Sequence, residues 1–225
     1  MDALLQQVNQ YCERQSSAFW AEPLNAISNL SFIIAGVIAI KLTHKKHLGP
    51  PANVLAYMIC VIGIGSFLFH TYATRWAELA DVFPIYIFQL IYTGAFSRYC
   101  LKFDWPKTLA VYGLYIAMTL ASGYLPWSLN GSIMYLPTIL MLIFFAVMLK
   151  WQKADRELEN KAWSLVVFFC LSLTARTVDA SACNYLPRGT HFIWHILNGL
   201  ILYISWSLIS TCQPAREDTN DALKD

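Results

Sequence analysis

Histidines at helical spacing are the residues of this sequence best suited to chemistry. His191 and His195 stand in the stretch HFIWH, and an i, i+4 pair on a helix projects both imidazoles from one stripe, where they can bind one ion. His70, far upstream, can supply a third nitrogen. Three histidines with one open position are typical of a catalytic zinc, which lowers the pKa of its bound water and polarises a carbonyl. The pattern predicts such a site.

Two further residues accompany the histidines. Asp81 follows the short turn ATRWAE and is expected to return near His70, where it can take a proton from the metal-bound water or orient a ligand. Ser66, one turn before His70, can donate a hydrogen bond to a developing oxyanion. Taken alone, an HxxxH pair on an apolar helix indicates a metal only weakly. A haem is the alternative, but two histidines on one helical face are poorly placed for axial ligation from opposite sides.

The composition indicates that the elements positioning these residues are membrane-spanning helices. Hydrophobic residues make up 57% of the 225 residues and charged residues only 13%, and the mean hydropathy is +0.45, all of which indicate a membrane protein. The net charge of +2 is too small and too dispersed to indicate nucleic-acid binding. Six cysteines without a CxxC offer at most one pair of interest.

Seven apolar stretches are each long enough for a transmembrane helix. They cover residues 25–42, 53–73, 78–97, 108–125, 131–149, 162–183 and 190–211. The polar connections are short, so neighbouring helices should be antiparallel in one bundle. We expect an all-α, polytopic seven-transmembrane-helix bundle that forms a single domain over residues 1–212, followed by a polar tail over 213–225.

The Lys and Arg residues of the loops predict the orientation, because cytoplasmic loops carry the excess. With seven spans, three of these residues fall on the N-terminal side and twelve on the other, and Arg176 lies within a span. We therefore expect the N-terminus outside and the C-terminus in the cytoplasm. Antiparallel order then brings the end of span two, the start of three, the end of six and the start of seven to the outer face. Arg176 and Asp179, at i and i+3 in span six, are expected to form a structural ion pair.

Four stretches along the chain form a specific combination of motifs: YCERxxxxFWAEPLNAISN at 11–29, GIGSFLFHTYATRWAELADVFPI at 63–85, RTVDASAC at 176–183 and HFIWHILNGLILY at 191–203. They resemble the alkaline ceramidase family, within a superfamily of seven-span hydrolases that includes the adiponectin receptors. The resemblance implies hydrolysis of the amide bond of ceramide, or of a related N-acyl sphingolipid, to a sphingoid base and a fatty acid. It implies zinc held by His70, His191 and His195, with Asp81 as general acid and base and Ser66 assisting the oxyanion.

The resemblance also implies a disulfide and a second metal site. The disulfide would join Cys12 to Cys183, both on the outer side by the charge count, where a disulfide can persist. Eukaryotic members bind calcium through an acidic cluster near the N-terminus, of which Glu13 and Glu22 remain here. Glutamine replaces two of the other oxygen ligands, at Gln10 and Gln15, and such a loss weakens a site for a hard cation.

Two classes of function remain open at this stage. One is a zinc-dependent amidase whose substrate is a ceramide-like membrane lipid, with the active site facing the periplasm, lumen or exterior of a bacterial inner membrane or endomembrane. The other is a seven-span receptor or lipid-binding protein with a structural metal and little or no hydrolysis. The sequence leaves the acyl-chain preference, the membrane and the oligomeric state open.

Overall fold

The computed structural model describes residues 3–214, in which the long regular elements are all helices. Its seven long helices, in chain order, are α1 (Pro23–Lys45), α2 (Pro50–Tyr72), α3 (Arg75–Cys100), α4 (Trp105–Ser122), α5 (Ser132–Trp151), α6 (Arg156–Ala182) and α7 (His191–Cys212). Within the described residues, β pairing is limited to one isolated bridge between Gln7 and Thr74. The all-α prediction is therefore confirmed. Residues 215–225, most of the predicted tail, lie outside the described range.

Local signals explain where several helices begin. Proline, whose ring suits the first helical turn, opens α1 and α2. The carboxylates of Asp104 and Asp155 cap α4 and α6, accepting hydrogen bonds from the backbone N–H groups of Lys107 (3.1 Å) and Glu157 (2.8 Å). These caps stabilise helix starts that a purely apolar sequence would leave unsatisfied.

Six of the seven helices, all except α4, are long and apolar enough to cross a membrane. Only 33% to 50% of the residues in their most apolar windows are buried inside the protein, so much of each apolar surface points outward. Ile34, Phe83 and Leu171 are examples, with 54% to 65% of their surface exposed. Helices that are apolar on all sides require lipid around them. The chain is therefore an integral membrane protein.

Helix α7 lies at the centre of the bundle, where it contacts α1, α2, α3 and α6. Near its C-terminal end, the fully buried Trp206 donates its indole N–H to the Thr43 hydroxyl of α1 at 3.0 Å. This bond satisfies the polar atom of a ring that is otherwise packed in the apolar core. Because α7 is held on several sides, side chains on its first turns have fixed positions.

Residues 6–22, which we call the N-terminal strap, lie across the end of the bundle where α2 ends and α7 begins. The backbone N–H of Val8 donates to the carbonyl of Ala73 (2.8 Å), and that of Arg75 donates to Gln6 (3.1 Å). A disulfide joins Cys12 to Cys183, just beyond α6. The strap is thus attached to the turn between α2 and α3 and to the end of α6.

Candidate metal centre and active site

Three histidines meet at the strap end of the bundle. His70 lies in the last turn of α2, and His191 and His195 lie in the first two turns of α7. Each is 1% to 2% exposed, and their ring centroids are 4.6 to 5.2 Å apart. One ring nitrogen from each lies within 4.8 Å of the other two, close enough to share one metal ion. The structure thus brings together the three residues that the sequence singled out.

Hydrogen bonds on the outer edges of the rings leave lone pairs facing inward. The Glu22 carboxylate accepts a hydrogen bond from His70 Nδ1 at 2.6 Å, so the proton sits on Nδ1 and the lone pair on Nε2. Ser28 donates its own proton to the Asn25 carbonyl (2.9 Å), so its oxygen accepts from His195 Nδ1 (2.7 Å). Such partners orient histidine ligands in metal sites.

The inward-facing nitrogens fit a bound cation. Among the described residues, His70 Nε2 and His191 Nδ1 are buried and lack a hydrogen-bond partner. Leaving a buried polar atom unpaired is costly, so each such atom in a folded protein needs an explanation. Three neutral imidazoles with converging lone pairs are a donor set that zinc and similar transition metals prefer over calcium.

Asp81 and Ser66 lie beside this cluster. The Ser66 hydroxyl, on α2, faces the Asp81 carboxylate, on α3, and the charge of Asp81 is close to His70. Both residues line an inner cavity whose wall is mostly apolar and includes His195. Asp81 therefore returns to the histidines as predicted from the short connection between α2 and α3.

The cluster lies where two cavities of different character meet. The inner, apolar cavity descends between the helices past Phe88 and Leu142. An outer cavity at the strap end is lined by polar groups such as Asn130 and Arg176, and by His191. Asp81, Ile85, Tyr135 and Trp194 line both. A ligand with a polar head and apolar chains would place the junction between them at the histidines.

Tyr11 of the strap packs directly on this centre. Its ring stacks on His191 with centroids 3.7 Å apart, and its hydroxyl accepts a hydrogen bond from Arg176 at 2.7 Å. Burial raises the pKa of Tyr11 to about 12, although the nearby Arg176 guanidinium opposes the rise. Tyr11 thus remains a neutral ring that fixes the plane of His191.

The predicted ion pair between Arg176 and Asp179 is wrong, because the two side chains have different partners. The guanidinium of Arg176 lies among the rings of Tyr11, Tyr135 and Trp194, 5.6 to 5.7 Å from each centroid. At i, i+3 the two residues share a helix face. The Arg176 guanidinium nevertheless contacts aromatic rings and donates to the Tyr11 hydroxyl, whereas the Asp179 carboxylate accepts hydrogen bonds from backbone N–H groups.

Asp179 is a cap for the neighbouring helix. Its fully buried carboxylate accepts hydrogen bonds from the backbone N–H groups of Thr190 (2.6 Å), His191 (3.0 Å) and Cys12 (3.1 Å). Gly189 permits this approach, since its φ is +64° and an added Cβ would lie 2.1 Å from the Asp179 carboxylate. Asp179 therefore fixes both the start of α7, which carries the histidine pair, and the strap.

The two carboxylates considered for calcium are bound by the chain itself. Glu13 accepts hydrogen bonds from the backbone N–H groups of Leu24 and Asn25, both at 2.8 Å, at the start of α1. Glu22 is bonded to His70, to Asn25 and to the buried guanidinium of Arg14. Burial raises the pKa of Glu22, but the hydrogen bonds from His70, Asn25 and Arg14 hold it below its ordinary value.

These contacts do not fit a calcium site. Calcium needs six to eight oxygen ligands at close range, and a positive guanidinium at the Glu22 carboxylate excludes a second cation there. The role of Arg14 at the site was not predictable from the sequence, because a basic residue before the first span is equally explained by the orientation of the chain in the membrane. The one feature of the sequence that could have indicated this role is the position of Arg14, eight residues before Glu22 in a segment with few other charged residues.

A second disulfide joins Cys100, at the end of α3, to Cys212, at the end of α7. It lies at the opposite end of the bundle from the histidines. The expectation of at most one cysteine pair was therefore wrong. The two residues are 112 positions apart, and only the fold brings their helix ends together.

The fold and the site together define a class: a helical membrane protein whose buried histidine cluster lies between a polar opening and an apolar cavity. Within that class the sequence gives a definite assignment. The model of the family described as Ceramidase matches residues 7–224, nearly the whole chain, and the chain belongs to that family. Membership supports ceramide hydrolysis and thus a hydrolase of the amide-bond class. No curated protein matches the chain.

Proposed function

We propose that the protein is a zinc-dependent hydrolase that cleaves the amide bond of ceramide, or of a related N-acyl sphingolipid, to a sphingoid base and a fatty acid. The observation that carries the proposal is the position of the histidine cluster, in which His191 lines the more polar outer cavity and His195 lines the apolar inner one. An amphipathic lipid amide has its polar hydroxyls and amide next to long apolar chains. Its amide would lie at this junction.

His70, His191 and His195 would hold the metal. Zinc in such a site supplies a Lewis acid for the amide carbonyl and lowers the pKa of a bound water to about 7. Glu22, Ser28 and Tyr11 fix the planes of the three rings. This support excludes other ring orientations, so the lone pairs stay directed at one point.

Asp81 is proposed as the group that handles the proton. It takes the proton of the attacking water as the C–O bond forms, and delivers it to the amide nitrogen as the C–N bond breaks. Ser66, which faces Asp81, would donate a hydrogen bond to the carbonyl oxygen as negative charge develops there. The products are a carboxylic acid and an amine, so no oxidant or reductant is needed.

The apolar inner cavity is proposed to hold a hydrocarbon chain of the substrate. Its wall includes Phe32, Ile62, Phe88 and Ile201. Several of its polar side chains are bonded within the protein. Gln89 accepts a hydrogen bond from the Tyr115 hydroxyl at 2.8 Å, Asn198 donates to the Ser172 hydroxyl at 3.1 Å, and Ser205 donates to the carbonyl of Ile201 at 2.8 Å. The wall therefore suits an apolar chain over most of its length.

We also propose that α4 completes a seventh crossing. Cys100, which ends α3, lies at the end opposite the histidines, whereas Asn130 and Tyr135, at the start of α5, line the outer cavity. The chain between them must therefore traverse the bundle. The 18 residues of α4 span about 27 Å, close to the hydrocarbon thickness of about 30 Å. With seven crossings, the excess of Lys and Arg puts the N-terminus and the site on the non-cytoplasmic side.

The test separates metal binding from catalysis. In purified protein, His195→Ala should lose bound zinc and ceramide hydrolysis together. Asp81→Asn should keep zinc but lose hydrolysis by about 10²- to 10⁴-fold, the usual contribution of a positioned acid or base. His44→Ala and Asp104→Asn change exposed residues at the other end of the bundle and serve as matched controls.

Zinc content by mass spectrometry and fatty-acid release from ceramide are the two measurements. Undiminished fatty-acid release from either site variant would remove the proposed mechanism. Stoichiometric zinc with no turnover on any lipid amide, in the unaltered protein, would favour the receptor or lipid-binding alternative.

A further inference from the structure

Arg14 is a buried cation with an unusually complete set of partners. It is 4% exposed, and its Nε bonds the Glu22 carboxylate. Its Nη2 donates to the carbonyl of His70 at 3.0 Å and to that of Thr71 at 3.4 Å. Its Nη1 donates to the carbonyl of Ser16 at 3.1 Å and to that of Ala18 at 3.5 Å. All three guanidinium nitrogens are therefore engaged.

These partners belong to two separate parts of the chain. Ser16, Ala18 and Glu22 are in the strap, whereas His70 and Thr71 are in the last turn of α2. The guanidinium fork is rigid and planar, so it holds several acceptors in fixed relative positions, which a compact ammonium group does less well. Arg14 therefore fixes the geometry between the strap and the helix end that carries His70.

Glu22 connects Arg14 to the candidate metal centre. One of its oxygens bonds Arg14 and the other bonds His70 Nδ1 at 2.6 Å. Residues that bond the outer nitrogen of a histidine ligand set the tautomer, the orientation and the basicity of the ring. A buried Glu22 without its cation would be an uncompensated charge, which is strongly unfavourable.

We propose that Arg14 is a positioning residue, a fixed cation that holds Glu22 against His70 and so tunes the metal affinity of the histidine cluster without any bound calcium. The inference rests on the proposed function only in requiring a metal at the three histidines. It makes the strap a part of the metal site. It also makes calcium superfluous, since the positive charge at Glu22 is covalently part of the chain.

The experiment uses the full-length protein in detergent, stripped of metal and titrated with zinc chloride against a fluorescent competing chelator. Arg14→Gln should weaken zinc binding by about 10- to 100-fold, the range found when such outer partners are removed. Arg14→Lys should recover part of the affinity, because it restores the charge but not the fork. Arg75→Gln is the matched control: its side chain is 52% exposed and pairs with Glu78 on the surface.

Calcium is tested in the same samples. Millimolar calcium chloride should change neither the melting temperature nor the zinc affinity of the unaltered protein. A saturable rise in melting temperature with calcium would overturn the inference. So would wild-type zinc affinity in Arg14→Gln. If Arg14→Gln does not fold, Glu22→Gln reports on the same contact. It should weaken zinc binding in the same range, and unchanged affinity would overturn the inference.

The outcomes separate this inference from the proposed function. A protein that binds zinc, loses affinity in Arg14→Gln and yet leaves ceramide intact refutes the hydrolase and leaves the role of Arg14 standing. A protein that cleaves ceramide with equal zinc affinity in Arg14→Gln and in the unaltered chain refutes the role of Arg14 alone.

Discussion

Replacing Asp179 with alanine is expected to destabilise the protein strongly, although Asp179 contacts neither cavity. The substitution would leave three backbone N–H groups without their acceptor, those of Thr190, His191 and Cys12. Two of them are at the first turn of α7, and the third anchors the strap. The loss would therefore release both elements that position His191.

The magnitude follows from these three bonds. A hydrogen bond to a charged group contributes about 1.5–3 kcal/mol. The three share one carboxylate, and removing that carboxylate also relieves its own burial, so a simple sum overestimates the effect. We expect a loss of about 3–5 kcal/mol. For a chain of this size, each kcal/mol lowers the melting temperature by about 2–4 °C, which gives a total of roughly 6–20 °C.

The assay is thermal unfolding in detergent, with zinc titration as a second readout. The control is Asp104→Ala, which removes a helix cap that makes a single exposed hydrogen bond, at the start of α4. It should cost about 1 kcal/mol and leave zinc affinity unchanged. A fall in melting temperature for Asp179→Ala no larger than that for Asp104→Ala would refute the reasoning, because three buried bonds would then weigh no more than one exposed bond.

Two further substitutions test the support of the site. Ser28→Ala removes the hydrogen bond to His195 Nδ1 and should weaken zinc binding by about 10-fold or more, whereas Ser31→Ala, which loses a bond only to the His195 backbone carbonyl, should not. Equal zinc affinities in competition titrations would contradict this role for Ser28. Gly65→Ala would place a Cβ 2.1 Å from a backbone oxygen of α3 and should cost about 1–3 kcal/mol in thermal unfolding, whereas Gly113→Ala, with open space around it, should cost nothing. A melting temperature of Gly65→Ala equal to that of the unaltered chain would show that α2 and α3 can separate freely.

The histidine cluster was predictable from the sequence because topology alone determines it. Helices that alternate in direction bring the end of α2 and the start of α7 to the same face. An i, i+4 spacing then directs His191 and His195 the same way. Asp81 was predictable for a similar reason, because the short connection between α2 and α3 places it at nearly the same depth in the bundle as His70.

The groups that orient the histidines were not predictable in the same way. Ser28 lies just before an interruption of α1 at Asn29, and Tyr11 lies in the irregular strap and stacks on His191. Neither position can be predicted from a helical or strand periodicity. From the sequence alone, the carboxylate of Glu22 suits a calcium ligand as well as it suits a partner of His70. Only the position of the Arg14 side chain decides between them.

Of the two disulfides, only one could be predicted from the sequence. Cys12 and Cys183 are joined, as the family resemblance implied. The resemblance implies no partner for Cys100 or Cys212, and the Lys and Arg excess predicts a cytoplasmic location for their end of the bundle, where thiols are normally kept reduced. Charge bias and disulfide chemistry thus give opposite indications for that end, and sequence alone offers no means of weighing them.

The disulfide between Cys12 and Cys183 joins residues that are synthesised 171 positions apart. The strap is synthesised before all seven helices, whereas its partners lie at α6 and α7. The strap therefore remains unattached while the intervening helices insert one after another. The centre can form only after α7 has been synthesised, so a chain that still lacks α7 has no competent site.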